Sequence, residues 1–188
     1  MSRWQKPDTV ESMAIRPVVL YPDPVLFKPT EPVGSVDDAV RELVVDMVDT
    51  MYNAPGIGLA ANQLGDARRV CIVDLSVGED PEGLHVFIDP VVTESAGSEV
   101  GEEGCLSFPD IMLDIERAEQ VTVEAFDLEG QRRLVSAEGL LARAILHECE
   151  HLDGHTFLRN LSPLKRELVK KRIRKLIKSG DWVEVTAK

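Results

Sequence analysis

Two histidines and a glutamate lie within five consecutive residues of this chain, His147-Glu148-Cys149-Glu150-His151, which form an HExxH sequence. On a helix, residues four apart share one face with their Cβ atoms about 5–6 Å apart, so both imidazoles can bind one metal ion. Glu148 borders that face and can take a proton from a metal-activated water without being a ligand. The pattern therefore predicts a hydrolytic metal site, although two histidines on a helix can also be plain surface residues.

The residues alone leave the third metal ligand open. Catalytic zinc sites usually have three protein ligands and keep one position for water. His155 follows a helix-ending glycine and is typical of an exposed loop, and His85 lies in a predicted strand. Cys149 points away from at least one of the two histidines, so we expect it to be a small core residue.

The HExxH residues lie in a segment, 138–152, that is predicted to be a core helix ending at Gly154. Buried histidines and carboxylates need polar partners, and a metal ion supplies them. The apolar side of this helix consists of Leu140, Leu141, Ala144, Ile145 and Leu152.

The remaining elements predict an α+β fold, with mainly antiparallel, short-stranded sheets packed around the HExxH helix. A capping pattern at Ser35 and Asp38 predicts an N-terminal helix that ends near Tyr52. A basic C-terminal helix is predicted over about 163–178, with Ser162 as its N-cap. Strands rich in Val, Ile and Phe are predicted at 69–75, 84–92, 119–127 and 131–136.

The composition of the 188 residues, 44% hydrophobic and 29% charged, is that of one globular domain. No apolar run approaches the roughly 20 residues that cross a bilayer, so no membrane span is expected. Residues 1–13 read as a polar extension without the apolar core of a secretory signal, and Met13 is a possible second start. We therefore expect a cytoplasmic protein with a single catalytic domain at 14–188.

The three cysteines, an odd number, argue against a disulfide framework.

Charge is unevenly distributed along the chain. The net charge is -12, yet residues 165–178 hold eight Lys or Arg and one Glu, a local charge of +7 that leaves about -19 elsewhere. A mostly acidic surface binds nucleic acid poorly, so sequence-specific nucleic-acid binding is not expected. The basic helix could still dock on an anionic partner.

Three segments resemble, in order, the signature motifs of the peptide deformylases, GxGxAAxQ, EGCLS and HExDHxxG. Here they are GIGLAANQ at 56–63, EGCLS at 103–107 and HECEHLDG at 147–154. The resemblance extends from about residue 14 to residue 178. It implies a metal-dependent amide hydrolase that removes the formyl group from the N-terminal formyl-methionine of newly made polypeptides and releases formate.

The resemblance also implies the metal ligands, which are Cys105, His147 and His151 around one divalent ion. Members of the family use Fe(II) in the cell, with Ni(II), Co(II) or Zn(II) in purified forms. A thiolate ligand makes the site softer, which suits Fe(II) or Zn(II). We therefore expect Fe(II) as the working ion.

The resemblance assigns three further groups to catalysis. Glu148 is expected to move the proton from water to the leaving amine, while the Gln63 side chain and the Leu106 N–H stabilise the developing oxyanion. The methionine side chain of the substrate is expected to lie among Ile57, Gly58, Leu59, Gly104, Leu140 and Ala144.

Three positions differ from the usual family pattern. Glu150 replaces an Asp, which we expect to be tolerated, and Met112 lies where many deformylases have Arg. Arg143 lies where some members have an apolar pocket residue and others have Arg. The sequence therefore does not determine the exact shape of the substrate pocket.

The C-terminal helix of bacterial relatives docks on the ribosome near the tunnel exit. Residues 165–178 are therefore predicted to dock on rRNA phosphates or an anionic ribosomal surface. The other interpretation is an amphipathic helix that only packs on the domain.

Two other functions compete with deformylation. An HExxH metallopeptidase of other specificity is disfavoured by Cys105 and by the segment containing Gln63, since those enzymes usually use Glu or His as third ligand. A non-catalytic structural metal module would need a fourth protein ligand.

Overall fold

The computed structural model describes residues 15–54 and 56–184 of the chain. The predicted polar extension, residues 1–13, and the second start at Met13 lie outside the described residues. Within the described residues, three short 3-10 helices are at Pro24–Phe27, Ala61–Leu64 and Phe157–Asn160. The longer elements are α1 (Asp38–Asn53), β1 (Gly58–Ala60), β2 (Val70–Val73), β3 (His85–Ala96), β4 (Glu99–Glu103), β5 (Leu113–Arg117), β6 (Gln120–Phe126), β7 (Arg132–Glu138), α2 (Gly139–Leu152) and α3 (Pro163–Ser179).

In the part of the chain that the structure describes, the strands form two antiparallel sheets. One has five strands in the order β1-β2-β3-β6-β7, and the other is the β4-β5 pair. Every pairing between named strands is antiparallel. The predicted α+β class is therefore confirmed.

The five-stranded sheet separates two hydrophobic cores because successive side chains of a strand point to opposite faces. In β2, Val70 and Ile72 pack with α1, whereas Cys71 and Val73 pack with α2. The HExxH helix thus lies against one face of the sheet, and α1 lies against the other.

The N-terminal helix begins two residues later than the Ser35 cap would place it. Asp37 is the N-cap, and its carboxylate accepts a hydrogen bond from the Val40 N–H at 2.9 Å. Ser35 is instead part of a turn, with its N–H bonded to the Val33 carbonyl. An aspartate next to the first turn caps as well as a serine does, and it also favours the helix dipole.

The strands β1, β4 and β5 were not predicted, and β3 continues to Ala96 beyond its predicted end at residue 92. The sequence of β4, EVGEE, has little intrinsic strand preference. Pairing of Glu103 with Leu113 and of Glu99 with Arg117 forms the hairpin. This missed hairpin leads directly into Cys105.

A third core lies beneath α3, which begins at Pro163 with Ser162 as its N-cap, as predicted. Ile173 is the one residue of α3 that is fully buried. None of the helices among the described residues is long and apolar enough to cross a membrane. The buried residues of this core are Phe108, Ile111, Ile115, Phe157, Leu158, Leu161 and Ile173.

Gly154 ends the turn that follows α2, with φ of +74°. A Cβ at this position would lie 2.8 Å from the backbone atoms of Lys28 and Pro29. The Leu152 carbonyl also accepts a hydrogen bond from the Thr30 N–H at 2.8 Å. The C-terminus of the HExxH helix is therefore packed directly on the N-terminal segment.

Replacing Gly154 by Ala should lower the free energy of unfolding by about 3 kcal/mol or more, because it combines left-handed backbone strain with a clash against backbone. Gly180→Ala is the matched control, since Gly180 also follows a helix, has φ of +81° and has open space around it. The control should cost about 1 kcal/mol. Urea denaturation of both variants measures the difference. Equal losses in the free energy of unfolding would contradict the close packing of Gly154 on the backbone of Lys28 and Pro29.

Candidate metal centre

Cys105, His147 and His151 come together at one point of the structure. Their potential ligand atoms all lie within 4.8 Å of one another. The His151 Nε2 lies 3.2 Å from the Cys105 Sγ. The two imidazoles come from α2 and are buried, and the half-buried thiol comes from the turn after β4. One thiol and two imidazoles form a donor set suited to a divalent transition metal.

A buried carboxylate orients one of these imidazoles. The Glu103 Oε2 lies 3.0 Å from the His147 Nδ1, which leaves the His147 Nε2 free to bind an ion. Arg117 donates to both oxygens of Glu103, at 2.5 and 2.9 Å. Burial raises the pKa of Glu103, but the hydrogen bonds from His147 and Arg117 outweigh it and bring the pKa down to about 2. Glu103 is therefore a carboxylate at neutral pH.

Glu150, the residue that replaces the usual Asp, extends the same network. Its Oε2 accepts a hydrogen bond from Arg117 at 3.1 Å. The Asn160 side-chain amide lies 3.1 Å from each of its oxygens. The longer side chain thus binds Arg117 and the 3-10 helix beyond α2.

The protonation of the cluster also fits a cation. Burial lowers the pKa of His151 well below its usual value, with His147 and Arg117 acting in the same direction, so this imidazole is a neutral donor. Burial lowers the pKa of His147 too, but hydrogen bonds with Cys105 and Glu103 outweigh it and raise the pKa. The surroundings of His147 thus favour a positive charge at this point, which a metal ion supplies when it displaces the proton.

Glu148 is buried beside the three donors and lines the same cavity as Cys105 and His147. Among the described residues its Oε2 has no hydrogen-bond partner. Burial raises the pKa of Glu148 to about 7, against the lowering effect of His147 and Arg117. A carboxylate with such a pKa can both accept and return a proton near neutral pH.

Gln63 is held with its amide nitrogen toward the thiol. The Oε1 accepts a hydrogen bond from the Ala60 N–H at 2.9 Å. The Nε2 lies 3.2 Å from the Ser107 Oγ and 3.6 Å from the Cys105 Sγ. Since Oε1 is already occupied, the donor end of the amide is the end that faces the site.

A cavity of about 340 Å³ opens beside the donor cluster. Most of the residues expected to contact the substrate line it, together with Met112 and Arg143. Leu140 is half exposed, whereas Ala144 is buried. The expected residues that line the cavity are Ile57, Gly58, Gly104, Leu106, Leu140 and Ala144.

The structure does not bring Leu59 to this cavity, contrary to expectation. Leu59 is fully buried in the core beneath α1. Gly58 and Ala60 flank it in β1 and therefore point to the other face of the sheet, toward α2. The strand alternation that carries Gly58 to the site thus carries Leu59 away from it.

Several site residues were missed by the sequence analysis. Glu103 lies within a motif that carries the resemblance, yet no pattern assigned its side chain to His147. Arg117 belongs to an unpredicted strand, and its proximity depends on the β4-β5 pairing. Ser107 and Asn62 are also buried here, and the Asn62 side chain donates to the His151 carbonyl at 2.5 Å.

Comparison with known proteins relates this geometry to one family. The model of the polypeptide deformylase family matches residues 15–167. A peptide deformylase of Acidobacterium capsulatum is 49% identical over 170 residues, covering 90% of this chain and 100% of that protein. The chain belongs to the polypeptide deformylase family.

Solved deformylase structures are similar over nearly the same extent. The enzyme from Legionella pneumophila superposes with a TM-score of 0.83 at 38% identity, covering 89% of this chain and 98% of that one. The enzyme from Synechococcus elongatus, solved in complex with actinonin, has a TM-score of 0.79 at 36% identity, with 88% and 89% covered. The resemblance seen in the three motifs is therefore confirmed along almost the whole chain.

As a family member, the chain is a metal-dependent hydrolase that removes N-formyl groups from nascent peptides. The family and the three-donor cluster together imply a divalent metal ion. The roles of individual residues stay predictions.

Gly58 leaves the space that the Glu148 carboxylate occupies, since a Cβ there would lie 2.4 Å from its Oε1. Gly58→Ala should displace the carboxylate and lower kcat on the order of 10²-fold, with metal content unchanged. The matched control is Gly56→Ala, whose Cβ would contact the Leu106 side chain at 2.8 Å and narrow the cavity. It should mainly raise KM. Steady-state deformylation and metal analysis test both variants. An unchanged kcat in Gly58→Ala would show that the position of the Glu148 carboxylate does not depend on the space at Gly58.

Proposed function

We propose that this chain hydrolyses the formyl amide of formyl-methionyl peptides with Glu148 as the proton carrier and Cys105, His147 and His151 as metal ligands. The observation that carries the proposal is the Glu148 carboxylate, which is buried and lines the cavity beside the donors, and whose Oε2 has no partner among the described residues. A buried charge without a partner is costly, so this group is positioned for a substrate or water that completes it.

The metal, when bound, supplies a Lewis acid that lets water act as a nucleophile near neutral pH. Glu148 accepts the proton of the attacking water at its carboxylate. It then delivers that proton to the nitrogen of the leaving amine, which frees the peptide N-terminus and formate. Burial raises the pKa of Glu148, which favours return of the proton to the leaving amine.

Negative charge develops on the formyl oxygen as the amide is attacked. We assign its stabilisation to the Gln63 Nε2 and the Leu106 backbone N–H. In support, the Ala60 N–H holds Gln63 with its donor end toward the site, so no reorientation is needed during the reaction. One such donor is typically worth ~2.7–4 kcal/mol of the barrier.

The apolar cavity is proposed to bind the methionine side chain. Ile57, Leu106 and Ala144 line it with aliphatic groups. A flexible, polarisable thioether adapts well to such a surface. Gly58 and Gly104 let the substrate backbone approach closely, because neither has a side chain in the way.

Fe(II) is our proposed working ion. The donor set of one thiolate and two imidazoles is softer than an all-nitrogen set, which suits Fe(II) and Zn(II). Among the described residues the cluster contains three donors, fewer than the four of a closed structural site. Nascent formylated chains are made in the cytoplasm, where we place the enzyme.

Glu148→Gln removes the proton carrier while keeping the shape of the side chain. Turnover of formyl-Met-Ala-Ser with Fe(II) under anaerobic conditions should fall by at least 10²-fold, with the metal retained. Formate release measures turnover, and elemental analysis measures the metal. Near-normal activity would show that another group carries the proton.

The outward face of α3 supports a second part of the proposal, which is docking on the ribosome. Ile173 packs inward, and the helix exposes a mixed apolar and basic face on the opposite side. Leu164 is 72% exposed and Leu168 is 59% exposed, so most of the surface of each residue is open to solvent. A purely structural amphipathic helix would bury these leucines. The exposed basic residues of the same face are Lys171, Lys175 and Lys178.

Changing Lys171, Lys175 and Lys178 together to Gln should weaken ribosome co-sedimentation on the order of tenfold and make its salt dependence shallower. Deformylation of a short peptide should not change, because these side chains point away from the third core. The control removes the same charge from the exposed Lys28, Arg132 and Arg133 and should pellet normally. Equal pelleting of both triple variants would refute docking through α3.

A further inference from the structure

Arg143 lines the cavity, and its guanidinium also donates four hydrogen bonds to the β4-β5 hairpin. It is buried on α2, one turn before His147. Its Nη1 donates to the Glu103 Oε1 and to the Ile115 carbonyl, each at 2.8 Å. Further donations reach the carbonyls of Gly101 at 3.3 Å and Glu99 at 2.9 Å. All four acceptors belong to the β4-β5 hairpin.

The hairpin is shaped to receive this guanidinium. A Cβ at Gly101 would lie 2.9 Å from the Arg143 Cζ and 3.0 Å from its Nε. Any larger residue at that position of β4 would therefore push the guanidinium away from its acceptors. The planar fork of an arginine can reach carbonyls on two strands at once, which the single ammonium of a lysine cannot do.

The hairpin and α2 carry different parts of the metal centre. Both imidazoles lie on α2, whereas β4 leads through Gly104 directly to Cys105. Other side-chain links join these elements, His147 to Glu103, Glu150 to Arg117 and His147 to Arg117. Of these links, Arg143 is the one that bonds to the backbone of both strands, so it determines where the hairpin lies relative to the helix.

We propose that Arg143 is a positioning residue for the metal centre. It holds the Cys105 thiol in place relative to the two imidazoles, and it keeps the Glu103 carboxylate oriented toward His147. It neither binds the metal nor touches the reacting atoms. The inference rests on the proposed ligand set, and it assigns Arg143 control over how tightly the ion is retained.

Arg143→Met keeps an unbranched side chain on α2 but removes every donor. Partners that orient metal ligands typically contribute about 10–100-fold to metal affinity, so we expect a loss in that range. Arg143→Lys keeps the positive charge near Glu103, and we expect it to recover only part of the lost metal affinity. Affinity is measured with Co(II) in competition with a chelator, and the absorption band that a thiolate gives to bound Co(II) should weaken in the Met variant.

Arg68→Met is the control for a general loss of stability. Arg68 is a partly buried arginine that bonds to Asp66 and to the Ala39 carbonyl, away from the site. It should lower the thermal midpoint without changing Co(II) affinity. Saturating metal should restore the activity of Arg143→Met, and circular dichroism of the metal-free variant shows separately whether it is folded. If Arg143→Met does not fold, Gly101→Ala tests the same point, since it displaces the guanidinium while leaving it in the chain.

The outcomes separate the inference from the proposed function. Wild-type protein that binds Co(II) without a thiolate band would overturn the ligand set itself. A normal thiolate band in the wild type, together with unchanged Co(II) affinity and spectrum in the folded Arg143 variants, would overturn the positioning role alone.

Discussion

The buried Glu103 carboxylate is the group on which the metal centre depends. It accepts hydrogen bonds from Arg117 and Arg143 and contacts the His147 Nδ1 at 3.0 Å. Transfer of a carboxylate into a protein interior is unfavourable unless several donors replace its water, and removing one partner of a buried pair typically costs about 3–5 kcal/mol. Here the donors come from both the hairpin and α2. The same contacts that satisfy the buried charge therefore join the two elements that carry the metal ligands.

Glycines provide the space in which these charged groups lie. Without a side chain at Gly58 the Glu148 carboxylate fits against β1, and without one at Gly101 the Arg143 guanidinium fits against β4. Gly104 gives room to the Met112 sulfur, which a Cβ would meet at 2.8 Å. Gly101 lies in β4, which has weak strand preference, and Gly104 directly follows that strand. Glycine weakens a strand locally, and here it lies where a neighbouring side chain must approach the strand backbone closely.

The sequence predicts those parts of the site whose chemistry is local. The HExxH spacing places His147 and His151 on one helix face, and the apolar pattern around them predicts correctly that this helix is buried. Contacts that depend on strand pairing are not predictable in this way. Arg117 reaches Glu103 only because β4 and β5 pair, and nothing in EVGEE indicates a strand. Leu59, which was expected at the substrate cavity, lies elsewhere for a related reason. Which way each residue of a three-residue strand points is determined by the neighbouring strands of the sheet.

The third core joins the exposed helix α3 to the catalytic cavity. Phe108 lines the cavity and packs on Phe157 at a ring distance of 4.8 Å, and Phe157 lies edge-on to the His147 ring at 5.6 Å. Ile173 of α3 is buried in the same core. Deleting α3 would therefore remove a core residue near the metal ligands as well as the basic surface, and a loss of ribosome binding in such a truncation would not identify the docking face. Since the inward and outward faces of α3 have separate residues, substitutions confined to the outward face can distinguish docking from folding.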